Sequence, residues 1–335
     1  MTTPPTAPEA GTVPAPADAA AVLARVLGLD PAAGDEPVVL EAGYGWGAFA
    51  ADAPEPVAVL VRTGPDAAGA TAREAAWLRW LDGAGFPAVP LVGADAGAPA
   101  SGGPTGLVVG RTDRSYVERI AEAPTEAPDV LADMGRMQAR LHLLPADDAP
   151  PSDSPGTGAL VDAVRDRARA AGMSDLEAAL DQIAPIIAAS AAPLVACQGD
   201  LAPGNIRLDA DGTPSLAAWG RAALAPAAWD VARGTLTIWA SAYLAPNRAH
   251  RAAMKMLRDF LVERYQAGYA ETIETPVDPA DLAAWDVVHA CDWLLDLDAG
   301  PRQGDPWDPL LLVNDTKGLT RDLARRVRRT TEEIG

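Results

Sequence analysis

Apolar and polar positions alternate in two different rhythms along the chain, and the change comes near residue 110. Before it, Val22, Leu23, Val26 and Leu27 fall at helical spacing within Ala17–Leu29, and Gly28, Asp30 and Pro31 end that helix. The short apolar runs Val38–Leu40 and Val57–Val61 flank the glycine-rich stretch EAGYGWGAF and predict a small antiparallel sheet with 41–49 as its turn. A helix over Thr71–Leu81 buries Ala75, Trp77, Leu78 and Leu81, and two more strands are expected at Val89–Val92 and Gly106–Gly110. Beyond Arg111 the 3.6-residue period dominates. Helices are predicted at Ala127–Leu144, Gly158–Ala171, Leu176–Ser190, Trp229–Leu244, His250–Ala270, Pro279–Asp296 and Thr316–Glu333. Only Pro193–Ala196, Ile206–Leu208 and Ser215–Ala217 interrupt them as strands, the last two joined by the turn Asp209-Ala210-Asp211-Gly212. The expected class is α+β. A Pro- and Ala-rich tail (1–16) precedes a small lobe with an antiparallel sheet and one helix (17–110), and a larger, mainly helical lobe (111–335) follows.

Composition narrows the partners. A chain of 335 residues with 49% hydrophobic content can bury substantial cores. The net charge of −19 disfavours nucleic acid and anionic membranes. It suits a cationic small molecule or peptide, or it is simply a solvated surface. Cys197 and Cys291 are too few and too far apart for a disulfide framework or a zinc cluster, which fits a reducing cytoplasm. The amino terminus lacks the basic and apolar regions of a secretory signal, and no apolar run is long enough to span a bilayer.

Chemistry concentrates in residues 194–233, LVACQGDLAPGNIRLDADGTPSLAAWGRAALAPAAWDVAR. Gln198-Gly199-Asp200, Asn205, Ala218-Trp219-Gly220 and Trp229-Asp230 follow the order of the catalytic segment of the aminoglycoside phosphotransferase and choline kinase family, which this segment resembles. That family reads His-Gly-Asp, Asn, Asp-Trp-Gly or Asp-Phe-Gly, and Trp-Asp. Weaker likenesses lie in LADMGRMQARLHLLP and GPDAAGATAREAAWLRWL. The resemblance implies a two-lobed, protein-kinase-like fold and phosphoryl transfer from ATP with Mg²⁺, a reaction in which the protein supplies positioning and charge neutralisation. It assigns Asp200 as the base that meets the acceptor hydroxyl, Asn205 as a metal ligand, Gly43, Gly45 and Gly47 as the nucleotide-covering loop, and Asp230 as a brace for the catalytic loop.

Three positions depart from the pattern. Ala218 stands where the second metal ligand belongs, and alanine has no donor. No lysine precedes Lys255; the strand residue most like the phosphate-holding lysine that the resemblance implies is Arg62, with Glu74 its natural partner if Arg62 points inward, and the plain alternative is a solvated strand-end arginine. Gln198 replaces the family histidine and keeps hydrogen-bonding capacity. His142, ending an apolar helix, reads as a packed or capping residue. Two functions follow: a pseudokinase or scaffold subunit that uses nucleotide weakly or needs no cofactor, or an active ATP-dependent phosphotransferase for a small molecule or peptide, as in natural-product biosynthesis. Asp281, Asp286, Asp292, Asp296, Asp298, Asp305 and Asp308, interleaved with Trp285, Trp293 and Trp307, either line a cationic acceptor site or form the polar face of an amphipathic helix whose Leu282, Trp285, His289 and Trp293 point inward.

Overall fold

In the computed structural model, the described residues are 14–28, 36–43, 46–52, 56–64, 66–97, 104–112, 114–150, 157–301 and 309–334. The expected tail lies almost wholly outside them, as do Gly45, Asp305, Trp307 and Asp308. The chain divides into two compact units, one of residues before 114 joined by Leu208–Leu216, the other of Arg114–Arg207, Ala217–Pro301 and Pro309–Gly335.

The first unit holds helix α1 (Pro16–Leu27), strands β1 (Val38–Gly43), β2 (Trp46–Asp52) and β3 (Pro56–Arg62), helix α2 (Ala67–Gly83), and strands β4 (Leu91–Asp95) and β5 (Thr105–Gly110). All strand pairs are antiparallel, in the order β1-β2-β3-β5-β4. One face of the sheet buries Phe49, Val57, Val59, Val61 and Val108 against Ala19 and Val22 of α1. Gly28, with φ of 67°, ends α1 in the left-handed region that glycine enters freely. The stretch expected to turn over 41–49 is mostly strand: pairing runs to Gly43 opposite Trp46, because backbone hydrogen bonding between neighbouring strands outweighs the weak strand propensity of the glycines. Leu216 adds to this unit through its N–H on the Pro87 carbonyl (2.8 Å) and its carbonyl on the Val89 N–H (3.1 Å).

The second unit is mainly helical. Strand β6 (Arg114–Ser115) leads into α3 (Tyr116–Glu122), then α4 (Ala127–His142), α5 (Thr157–Ala170) and α6 (Ser174–Ala189). Strands β7 (Leu194–Cys197) and β8 (Ile206–Leu208) follow, the chain then passes through β9 (Pro214–Leu216), which belongs to the first unit, and β10 (Ala223–Pro226) leads into α7 (Ala227–Ala240), α8 (Arg248–Ala270), α9 (Pro279–Ala299) and α10 (Thr316–Ile334). Its core gathers Leu180, Ile183, Trp229, Leu236, Trp239, Tyr243, Trp285, Leu294 and Leu323. Helices α4 and α8 pack backbone to backbone at Gly135 and Gly268, where a Cβ would strike the carbonyls of Tyr265 and Ala132.

Helix α3 and strand β10 are among the elements that went unread in the sequence. The helix α3 carries its own start signal, Ser115 and Glu118 forming a capping box in which the Ser115 N–H donates to the Glu118 carboxylate at 2.8 Å. Strand β10 pairs with β7 in antiparallel register, Ala223 opposite Cys197 and Pro226 opposite Leu194. The helix expected to run from Trp229 to Leu244 tightens into a 3₁₀ turn at Ser241–Leu244, just before Ala245-Pro246, where the proline disfavours α geometry.

Candidate active site around the catalytic loop

Strand β7 ends at Cys197 and delivers Gln198, Gly199 and Asp200 onto a loop that only glycine can thread. Gly199 has φ of 81°, and a Cβ there would lie 2.5 Å from the Arg221 carbonyl and 2.7 Å from the Trp229 ring. Beneath the loop sits Asp230, in the first turn of α7 and fully buried. It accepts the Gln198 N–H at 3.1 Å and the Gly199 N–H at 2.8 Å, and lies 3.2 Å from His142 Nε2. Burial alone would raise its pKa, but these hydrogen bonds and the His142 interaction outweigh it, and the carboxyl is held below its ordinary range. His142 is clamped in turn, with Nδ1 2.8 Å from the Tyr269 hydroxyl. With Cys197 these two residues form the one cluster of three metal-type donors among the described residues. Every member is committed to the protein: the Cys197 thiol sits 3.5 Å from the Ala225 carbonyl, and burial drives its pKa well up, keeping it protonated. The cluster is a brace.

Gln198 is fully buried and stitches the loop to the segment that carries position 218. Its Nε2 donates to the carbonyls of Ala217 (3.1 Å) and Ala218 (2.9 Å), while Oε1 accepts the Asp200 N–H at 2.7 Å. Asn205 closes the loop from the other side: Nδ2 donates to the Asp200 carbonyl at 2.7 Å and lies 3.5 Å from its carboxylate. Asp200 itself is open, with 41% of its side chain exposed. The structure therefore brings Asp200, Asn205 and Gln198 together as expected.

One charged neighbour of Asp200 was missed in the sequence. Arg233 Nη2 lies 3.3 Å from Asp200 Oδ1, and its guanidinium stacks 5.4 Å from the Trp293 ring centre. The signal available was position: Arg233 falls three residues after Asp230 and so shares its helix face. Arg233 is buried, and its Nε and Nη1 find no hydrogen-bond partner among the described residues. Burial holds its pKa below the ordinary arginine value despite the carboxylates of Asp200 and Asp292.

Ala218 has φ of 60° and ψ of 58°, and is the one non-glycine residue among the described residues with positive φ. This left-handed conformation penalises an alanine Cβ and suits Gly, Asn or Asp better. Ala218→Gly is accordingly expected to stabilise the protein by about 1 kcal/mol, read as a raised midpoint in urea unfolding. The donor set around the loop does not fit a magnesium clamp. Asn205 offers one amide oxygen, position 218 offers none, and the Asp200 carboxylate is engaged by Arg233. Asp209 does not substitute, since its Oδ1 accepts the N–H groups of Asp211 (3.0 Å) and Thr213 (2.8 Å) at the hairpin turn.

In the first unit, Arg62 at the end of β3 forms an ion pair with Glu74 of α2, which is 2% exposed, so the arginine is engaged rather than solvated. Gly43 and Gly47 pair within the β1–β2 ladder, and Gly45 lies outside the described residues. The aspartates of α9 are not all outward. Asp281 and Asp286 are buried, the first accepting from Ser190 Oγ at 2.5 Å, the second gripped by Arg326 through two bonds of 2.6 and 2.8 Å. Arg167 binds both Asp292 and Asp296. Paired arginines and a hydroxyl offset the desolvation that would otherwise force these carboxylates out. Trp285 and His289 do point inward, and Trp293 is partly buried.

Comparison with known proteins gives a consistent outcome. None of the curated proteins matches the sequence. Among solved structures, a thermostable mutant of the aminoglycoside phosphotransferase APH(4)-Ia in its apo form is similar with a TM-score of 0.61 at 11% identity, covering 92% of this chain and 98% of that one. A choline/ethanolamine kinase family protein from Mesorhizobium loti gives 0.59 at 18% identity and covers 95% of both chains. Choline kinase LicA from Streptococcus pneumoniae gives 0.53 at 12%, covering 85% and 89%. These likenesses establish the fold: α+β, two-lobed and protein-kinase-like, with a small antiparallel sheet in one lobe and helices dominating the other. Residues 45–285 match the family model described as the phosphotransferase enzyme family, and the chain belongs to that family.

Proposed function

We propose that this protein is a degenerate member of its family: a pseudokinase or binding subunit that engages a nucleotide, a peptide or a protein partner and transfers phosphate weakly or not at all. The observation that carries the reading is Ala218, a methyl group where a metal-binding carboxylate belongs. The pairing of Asp200 with Arg233 supports it, because a base held by a guanidinium is less free to take a hydroxyl proton. Nucleotide binding is supported by family membership, and structures of APH(4)-Ia hold ADP or AMP-PNP together with hygromycin B. Arg62, joined to Glu74, is the residue we assign to the phosphates, with the β1–β2 glycines as the covering turn. The acceptor or partner ligand is a small molecule or peptide. A cationic one loses support from α9, where Asp281, Asp286, Asp292 and Asp296 already have partners. A cytoplasmic location belongs to the same reading and rests on two free, buried cysteines. None of the described helices is long and apolar enough to cross a membrane.

The alternative, an active phosphotransferase for a small-molecule or peptide hydroxyl in natural-product biosynthesis, is favoured by one observation: Asp200 remains half exposed with Asn205 folded against it. Thermal shift with ATP, with and without magnesium, separates the two. We expect a shift indifferent to magnesium in the parent and a magnesium-dependent gain in Ala218→Asp. A parent shift that already requires magnesium would contradict the degenerate reading.

A further inference from the structure

Helix α8 has two apolar faces, and its own fold uses only one. Leu261, Tyr265, Gly268 and Tyr269 are buried against the protein. On another side, Ala249, Ala252, Ala253, Met256, Leu257 and Phe260 are all exposed, Met256 by 85%, Leu257 by 49% and Phe260 by 46%. Their spacing of three and four residues makes a continuous stripe along three turns, roughly 17 Å of helix. A contiguous stripe of this size on a strongly acidic chain marks an interaction surface.

The order of residues in the stripe says what covers it. The small side chains Ala249, Ala252 and Ala253 lie at its amino-terminal end, and the large ones, Met256, Leu257 and Phe260, lie at its carboxy-terminal end. Turned end for end, the stripe is complementary to itself: Ala249 meets Phe260 of the partner subunit and Ala253 meets Met256 of the partner subunit. The charges follow the same symmetry. Exposed Arg248 and Asp259 flank the same edge of the stripe, so antiparallel packing sets each beside its opposite on the second copy, twice over. Asp259 has 79% of its side chain exposed and only a 3.7 Å approach from Arg258, which leaves it able to take a second partner.

We infer that the protein forms a two-fold symmetric homodimer through antiparallel packing of α8 on α8. The contact is small, at the low end of specific interfaces, so the dimer is concentration-dependent. Sedimentation equilibrium of the full chain tests it. The parent shifts from monomer to dimer as concentration rises; Met256→Glu with Phe260→Glu stays monomeric with an unchanged melting temperature. Arg248→Asp and Asp259→Arg each weaken association at least tenfold, while the two together restore it. A parent that stays monomeric at every concentration overturns the inference, as does a dimer that survives the double glutamate variant or a charge reversal that fails to restore association.

Discussion

Replacing Asp230 with alanine is expected to destabilise the protein by about 3–5 kcal/mol, measured as a lowered midpoint in urea unfolding, because it strands a set of buried polar groups at once. The Gln198 and Gly199 N–H groups both end on this carboxylate, and His142 Nε2 has no other partner among the described residues. A buried donor left without an acceptor loses its hydration and gains nothing in exchange. Asp230→Asn keeps the shape and one acceptor oxygen, so it should cost less than alanine. The linkage to pH has a definite sign. A carboxyl held below its unfolded pKa stabilises the fold above about pH 4, and that contribution disappears as pH falls through the lowered folded value. A loss below 1 kcal/mol in Asp230→Ala would show that the catalytic loop is held by something else.

Acid sensitivity near neutral pH is the second large effect, and it belongs to His289. The side chain is buried, with Nε2 2.8 Å from the Trp229 carbonyl, and burial, with repulsion from Arg233 second, pushes its pKa down to about 3. An unfolded histidine titrates near 6.5. Between those values the unfolded chain takes up a proton that the folded chain refuses, so stability is fully present above about pH 6.5 and falls as pH drops toward 3. The slope approaches about 1.4 kcal/mol per pH unit for a single group. The test is the difference between parent and His289→Gln in urea unfolding from pH 7 down to about 5, a range that ends before most carboxylates protonate. The parent should lose stability more steeply. Parallel slopes would mean that His289 charges without cost.

Much of this architecture was readable because hydrophobic period and burial agree. Trp77, Leu78 and Leu81 of α2 were expected inside and are inside. The turn residues Gly28 and Gly212 also stand where the chain needs positive φ. What escaped has physical causes. A strand through Trp46 and Gly47 is invisible to local propensity, since it is made by its neighbours' hydrogen bonds. Two aspartates of α9 sit inside because Ser190 and Arg326, 91 and 40 residues away in sequence, meet them there. Arg233 is partly of the same kind: its spacing from Asp230 puts it on the right helix face, but nothing local names Asp200, 33 residues upstream, as its partner. The candidate site divides similarly. Asp200, Asn205, Ala218 and the supporting Gln198 could be placed by motif, whereas the bracing of Asp230 by His142 and Tyr269 is a tertiary property.

Ala218 carries two messages that reinforce each other. Its side chain offers no metal donor, and its backbone adopts the left-handed conformation that Gly, Asn or Asp takes more readily. Here the Gln198 bridge to the Ala217 and Ala218 carbonyls holds the shape in place. The loop geometry is thus held by Gln198 whatever side chain stands at position 218.

The most direct measurement is multiple-turnover transfer of the γ-phosphate from ATP to candidate small-molecule and peptide acceptors in magnesium buffer, for the parent and Asp200→Ala. A degenerate site predicts parent turnover at or near the level of Asp200→Ala. Robust parent turnover that vanishes in Asp200→Ala would contradict it and establish an active phosphotransferase.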